Sequence, residues 1–223
     1  MGHAQRLIIP GNPHHVVHKG NKGNAVFRHD DDFKTYLSLL RHYSQIYSCS
    51  ILSYCLMTNH VHLVVVPSKP ESLINLIRDT HQRHSKIFNR KYNSSGHNWQ
   101  NRYYSCPCDE FHSIAAICYV ELNPVRASIV SHAWDYPWSS AGFHAGFINN
   151  HHSDLLDRSW LKNRFTTAEW IEFLLIEANH DEPEEIKRHT LQGVPLGGSQ
   201  FIKSVELEYG KVPILRSNGR PRK

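Results

Sequence analysis

The chain has 223 residues, 40% of them hydrophobic and 20% charged, with a formal charge of +5 and 18 histidines besides. That length buries a core of its own and fits one domain with an appendage, while no apolar run approaches the ~18 residues of a membrane span. The positive balance points to a polyanionic partner, and the first residues lack the apolar stretch of about 7–15 residues that marks a secretion signal, so a cytoplasmic protein is expected.

Residues 13–19 follow a Gly-Asn-Pro turn and are rich in valine, which predicts a first strand. Residues 20–24, Gly20-Asn21-Lys22-Gly23-Asn24, form a loop that either contacts phosphates or is a solvated turn. Asp30, Asp31 and Asp32 stand ahead of an amphipathic helix to about residue 47, with Phe33, Leu37, Leu40 and Tyr43 on one side and acids at the positive end of the dipole. Two strands, 50–57 and 60–66, are then joined by a tight turn at Thr58-Asn59. A second helix follows Pro70. Its apolar positions are Leu73, Leu76, Ile77, Ile87 and Phe88, and its basic side carries Arg78, Arg83, Lys86, Arg90 and Lys91. That side is either a solvated face or a track for a phosphate backbone.

After a loop at 93–96, residues 99–105 look like a strand entry. Trp99 and Arg102 there can stack a base and hold a phosphate, or Trp99 and one of the tyrosines complete the core. A helix from residue 112 or 113 carries Ile114, Ala115, Ile117, Cys118, Val120 and Leu122. The order strand, helix, strand, strand, helix, strand, helix predicts an α+β fold, a ferredoxin-like antiparallel sheet with helices packed on it. Five cysteines, Cys49, Cys55, Cys106, Cys108 and Cys118, make an odd count that argues for reduced thiols. Cys106-Pro107-Cys108 lacks the Cys-x-x-Cys spacing of a zinc knuckle, so buried or half-buried thiols are expected.

Residues two apart on a strand share a face, so His60 and His62 project together while Val61 points away. Two imidazoles in register are a pair of metal ligands. Residues four apart on a helix also share a face, so Tyr119 and Asn123 set a phenol beside an amide. Pro124 complicates this, because the residue before a proline is pushed out of the helical region. A buried tyrosine followed by a capping asparagine is the plainer alternative.

Tyr54-Cys55-Leu56-Met57-Thr58-Asn59-His60-Val61-His62-Leu63, then Trp99-Gln100-Asn101-Arg102-Tyr103, then Tyr119-Val120-Glu121-Leu122-Asn123-Pro124-Val125-Arg126-Ala127, then Trp138-Ser139-Ser140 together resemble the REP-associated tyrosine transposases, in the single-tyrosine branch of the HUH nucleases. The likeness covers about residues 7–145. It implies a ferredoxin-like fold, a metal held by His60, His62 and Asn123, and Tyr119 as nucleophile on single-stranded DNA with a REP-like hairpin. Arg126 belongs to the same motif and is a candidate DNA contact. The activity so implied is metal-dependent cleavage and rejoining through a 5′-phosphotyrosine. A phosphodiester has a poor leaving group, which calls for a divalent cation, and the donor set suits Mg²⁺ or Mn²⁺, with zinc as a chemical competitor. Two other readings compete: a non-catalytic nucleic-acid-binding regulator on the same scaffold, and a zinc protein using the histidines and nearby thiols. A monomer and a homodimer are equally compatible with the sequence.

The expected division is a transposase domain at 1–145, a small helical C-terminal extension at 146–210 and a basic, disordered tail at 211–223. Thr166-Thr167-Ala168-Glu169 is a capping-box pattern that starts a helix, Pro183 begins a second and Gly197-Gly198-Ser199 precedes a third. These helices read as a helix-turn-helix-like DNA reader or as a packing unit. The tail ends with Gly219-Arg220-Pro221-Arg222, which resembles an AT-hook core. Arg220 and Arg222 are then either minor-groove contacts or part of a non-specific basic tail.

Overall fold

A computed structural model describes residues 6–147, 154–180, 183–210 and 212–216. The strands β1 (His14–Lys19), β2 (Cys49–Met57), β3 (His60–Pro67) and β4 (Tyr104–Pro107) make a four-stranded sheet of order β2-β3-β1-β4. Every neighbouring pair is antiparallel. With α1 (Asp30–Ile46) between β1 and β2, and α2 (Pro70–Lys91) between β3 and β4, this is the expected ferredoxin-like arrangement. Apolar side chains fill both faces of β2 and β3, which are buried almost throughout, as strands covered on both sides must be. No helix among the described residues is long and apolar enough to cross a membrane.

Alternation along β1 divides the sheet into its two functional faces. His18 meets His81 of α2 and, beyond it, Tyr36 of α1, so His14, Val16 and His18 look toward α1 and α2. His15 meets Tyr119 of α3 (Glu110–Arg126), so His15 and Val17 look the other way. The strand expected from residue 99 starts later, at Tyr104, because 98–100 pair with the end of β1 and the loop after it instead: Gln100 N–H donates to the Lys19 carbonyl and Asn21 N–H to that of Asn98. In turn α3 starts earlier than residue 112, since Asp109 caps it by accepting from the His112 N–H at 2.8 Å.

Pro124 does not end α3, which runs on to Arg126. A helical proline leaves the carbonyl four residues back without its N–H donor, and here that carbonyl belongs to Val120. The Asn123 side chain supplies a substitute: its Nδ2 donates to the Tyr119 carbonyl at 2.8 Å and to the Val120 carbonyl at 3.3 Å. Asn123 is therefore inside the helix, on the turn after Tyr119.

Beyond residue 140 come α4 (Ala141–His144), α5 (Arg158–Lys162), α6 (Thr167–Ala178), α7 (Glu184–Gln192) and α8 (Ser199–Tyr209). The expected capping box is present, with Thr166 as its cap and Glu169 returning the bond. Trp170, Leu174, Ile186 and Leu196 are buried in the same core as the sheet. Leu196 extends the edge next to β4, accepting from Asp109 N–H and donating to the Pro107 carbonyl. Between α3 and α6 lies the fully buried Glu121 carboxylate. It accepts from the Trp170 indole at 2.9 Å, from the His144 ring at 2.6 Å and from the Ser140 hydroxyl. Arg220 and Arg222 lie outside the described residues.

Two outcomes follow. Glu121→Ala leaves three buried donors facing an apolar space, and the expected loss is about 3 kcal/mol or more, since each unsatisfied buried group costs about 1–3 kcal/mol; urea unfolding measures it, and a loss under about 1 kcal/mol would contradict the assignment. The second concerns the buried histidines. Burial lowers the pKa of His14, His18 and His84 to about 4 and of His15 to about 3, from 6.5. Unfolded rings take up protons as pH falls through 6.5, whereas the folded rings resist until about 4. Stability is thus full above 6.5 and declines toward 4, by at most about 1.4 kcal/mol per pH unit for each ring. A melting temperature that stays level from pH 7 to pH 4.5 would refute this.

Candidate active site

The histidine pair opens β3, and the tight turn before it is held from below. Val26 and Phe27 N–H donate to the Thr58 carbonyl, and Gly20 N–H donates to the Asn59 carbonyl at 2.7 Å. A side chain at Gly20 would collide with the Asn24 carbonyl at 2.1 Å and crowd the Asn59 carbonyl at 3.1 Å, so the loop can close on itself against the turn only with glycine here. The loop therefore packs against the turn that carries Asn59. Asn59 is oriented by its own bond, Nδ2 to the Gly23 carbonyl at 3.2 Å, which leaves its Oδ1 to accept from His60 Nδ1 at 2.7 Å. With its proton on Nδ1, His60 keeps Nε2 as a bare lone pair.

His62 lies one pleat further on, its ring centroid 5.0 Å from that of His60. Its Nδ1 is engaged by Nε2 of His15 at 3.2 Å, the two rings being stacked 5.4 Å apart. The remaining nitrogen of His62, again Nε2, is the one left for a cation. Burial is the main cause that lowers both pKa values, to about 4 for His60, where Lys19 adds to it, and well below the ordinary value for His62. Both rings are thus neutral and able to ligate near neutral pH.

Tyr119 comes to this pair from α3. Its ring stands edge-on to His62 at 5.7 Å and to His15 at 5.4 Å. The Arg126 guanidinium lies over it, 5.3 Å from the centroid, and reaches the Tyr119 carbonyl at 3.4 Å. A fixed positive charge therefore sits beside the phenol. Asn123, its Nδ2 spent on α3 carbonyls, has Oδ1 as its remaining donor atom for a metal. Among the described residues no group of three His, Cys, Asp or Glu side chains is arranged to hold a metal ion. Two imidazoles with an amide oxygen would make a donor set that fits an oxygen-tolerant divalent cation.

The other candidates are placed elsewhere. Arg78, Arg83, Lys86 and Arg90 are exposed on α2, on the face of the sheet away from Tyr119, and Arg78 is paired with Asp79. Arg102 is half-buried in the loop before β4. Trp99 is buried, its indole stacked on His81 at 4.1 Å and on His18 at 5.2 Å. Beside it a cavity of about 480 Å³ opens, lined in part by Arg6, His18, Arg78, His81, Trp99 and Tyr103. Cys106 and Cys108 are buried on and next to β4, and all five cysteines are unpaired and buried. His15 was not apparent from the sequence as a site residue. Its only signal was strand alternation, which becomes informative once β1 is known to lie beside β3.

The family model described as "Transposase IS200 like" matches residues 12–123, half of the chain. No curated protein matches it. Among solved structures, that of a REP-associated tyrosine transposase bound to a REP hairpin is 15% identical, with a TM-score of 0.55 over 66% of this chain and 86% of that one. A Deinococcus radiodurans R1 protein described as a transposase is 18% identical, with a TM-score of 0.36 over 54% of this chain and 93% of that one. The first likeness shows a shared fold. The family match spans the histidine pair, Tyr119 and Asn123, and by it the chain belongs to the IS200-like transposases.

Proposed function

We propose that this transposase is a metal-dependent enzyme that cleaves and rejoins hairpin-bearing single-stranded DNA, with Tyr119 as its nucleophile. The observation that carries the reading is the meeting of His62 and Tyr119, brought from β3 and α3 to one face with rings 5.7 Å apart. Nε2 of His60, Nε2 of His62 and Oδ1 of Asn123 would hold Mg²⁺ or Mn²⁺. The bound cation would polarise a phosphoryl oxygen and offset charge on the phosphate.

The chain's own residues supply the rest. The Tyr119 phenol oxygen attacks phosphorus, an O–P bond forms, and the bond from phosphorus to the 3′ oxygen breaks. The phenol loses its proton and the departing 3′ oxygen gains one, which leaves a 5′-phosphotyrosine and a free 3′-hydroxyl. Arg126 places a positive charge where the phenol becomes negative. A second 3′-hydroxyl attacking the phosphotyrosine reverses these changes and joins strands without external energy. The hairpin preference is drawn from the REP hairpin in the solved relative, and the exposed cations of α2 are available to a phosphate backbone that passes round the edge of the sheet. Residues 1–145 are the transposase domain in this reading, and the later helices buttress it.

The test uses a single-stranded hairpin oligonucleotide with Mn²⁺, followed on a denaturing gel. Wild type is expected to form a covalent adduct, and Tyr119→Phe to lower its yield by on the order of 10²-fold or more. His60→Ala with His62→Ala, or a chelator, should suppress the adduct while hairpin binding stays within about twofold. Hairpin binding by wild type with no adduct on any hairpin favours the non-catalytic regulator, and an adduct that survives Tyr119→Phe unchanged removes Tyr119 from the mechanism.

A further inference from the structure

We propose that Thr190, on α7 of the C-terminal extension, is a positioning residue that fixes the tautomer of His62 through His15. The inference rests on the reading of His62 as a metal ligand. Its basis is a chain of bonds that runs from α7 into the site, in which the direction of the first bond sets the protons of the two rings.

The chain begins at the Ile186 carbonyl, which can only accept. Thr190 Oγ1 lies 2.7 Å from it and donates its single proton there. The same oxygen lies 2.8 Å from His15 Nδ1 and 3.2 Å from Cys106 Sγ. With its proton committed, Thr190 can only accept from His15, so His15 carries its proton on Nδ1. Nε2 of the neutral His15 is then bare and accepts across the 3.2 Å contact with His62 Nδ1. His62 must be protonated on Nδ1, and its Nε2 is left as the free lone pair. The second available hydrogen for Thr190 is the Cys106 thiol, which fills its other lone pair.

Between the two rings alone the opposite arrangement also closes, but it needs Thr190 to turn its proton from the Ile186 carbonyl to His15 Nδ1, and it is useless to a cation. If His15 carried its proton on Nε2, it would donate to a bare Nδ1 of His62, and the His62 proton would occupy Nε2. Two states of one wire thus differ only in which end is set, and the hydroxyl at position 190 sets it. The wire is shut off from water: Thr190 and His15 are 1% exposed and His62 5%. Its anchor α7 packs on β4 and ends in the left-handed Gly193 at φ 67°. A metal ligand's second nitrogen ordinarily bonds a neighbour that fixes the tautomer. Here that neighbour is another histidine, and its own tautomer is fixed by a residue outside the segment 12–123 that the family shares. His60 is set separately, by Asn59.

The experiment reads tautomers directly. Long-range ¹H–¹⁵N correlation spectra of the full chain with ¹⁵N-labelled histidine, at neutral pH without metal or DNA, report which ring nitrogen carries each proton. Single-histidine substitutions assign His15 and His62. Wild type is expected to show Nδ1–H on both. Thr190→Val keeps the shape but removes the hydroxyl, and should turn both rings wholly or partly to Nε2–H. The Mn²⁺ dissociation constant, measured by electron paramagnetic resonance without DNA, should rise about tenfold or more. Thr190→Ser should restore both quantities. Nε2–H on His62 in the wild type overturns the proposal even if Thr190→Val fails to fold. So does a folded Thr190→Val with unchanged tautomers and Mn²⁺ affinity. Because the tautomers are read without DNA, the expected pattern in a chain that forms no covalent adduct refutes the nuclease reading and leaves the relay standing.

Discussion

The antiparallel register of β1 against β3 is the constraint on which the site depends. Val17 lies opposite His62 and Lys19 opposite His60, and this puts His15 diagonally beside His62 on the face that α3 covers. A slip of one residue would turn both His60 and His62 toward α1 and α2, since strand side chains alternate. Register is strongly specified here because both faces are buried. A slip would exchange Val61 and Leu63, each fully buried, for imidazoles. The packing of the sheet and the aim of the histidines are therefore one fact.

Each element next to the pair removes a degree of freedom from it. The glycine loop holds the turn, the turn holds Asn59, and Asn59 holds one nitrogen of His60. On α3, Asn123 repairs the helix at Pro124 and so keeps Tyr119 and Asn123 on successive turns. The extension contributes through Trp170, which ties α6 to Glu121 of α3, and through Thr190, which touches His15. Its buried Trp170, Leu174, Ile186 and Leu196 lie in the same core as the sheet. Under the proposed function such support matters, because small misplacements of reacting groups cost rate heavily.

Local pattern carries much of this into the sequence. The His-x-His alternation, the i,i+4 pair on α3 and the capping box at Thr166 are short-range geometry, and the strand and helix order led to the ferredoxin-like sheet. The relations that escaped are long-range ones. Trp99 sits in a segment that resembles a strand entry, yet 98–100 run against the loop after β1 and the indole is stacked on His81. Nothing near Glu121 in the chain announces a buried carboxylate, because its partners Ser140, His144 and Trp170 come from other elements. His15 and Thr190 are likewise ordinary residues until β1 is laid beside β3 and α7 against β4.

The central claim is that His60 and His62 hold a cation beside Tyr119 through their Nε2 atoms. The most direct measurement is an anomalous-difference map from crystals of the full chain soaked in Mn²⁺. The account requires a peak within coordinating distance, about 2–2.3 Å, of Nε2 on both rings, with Asn123 Oδ1 facing it. A well-occupied manganese site elsewhere, with none at the pair, would contradict it.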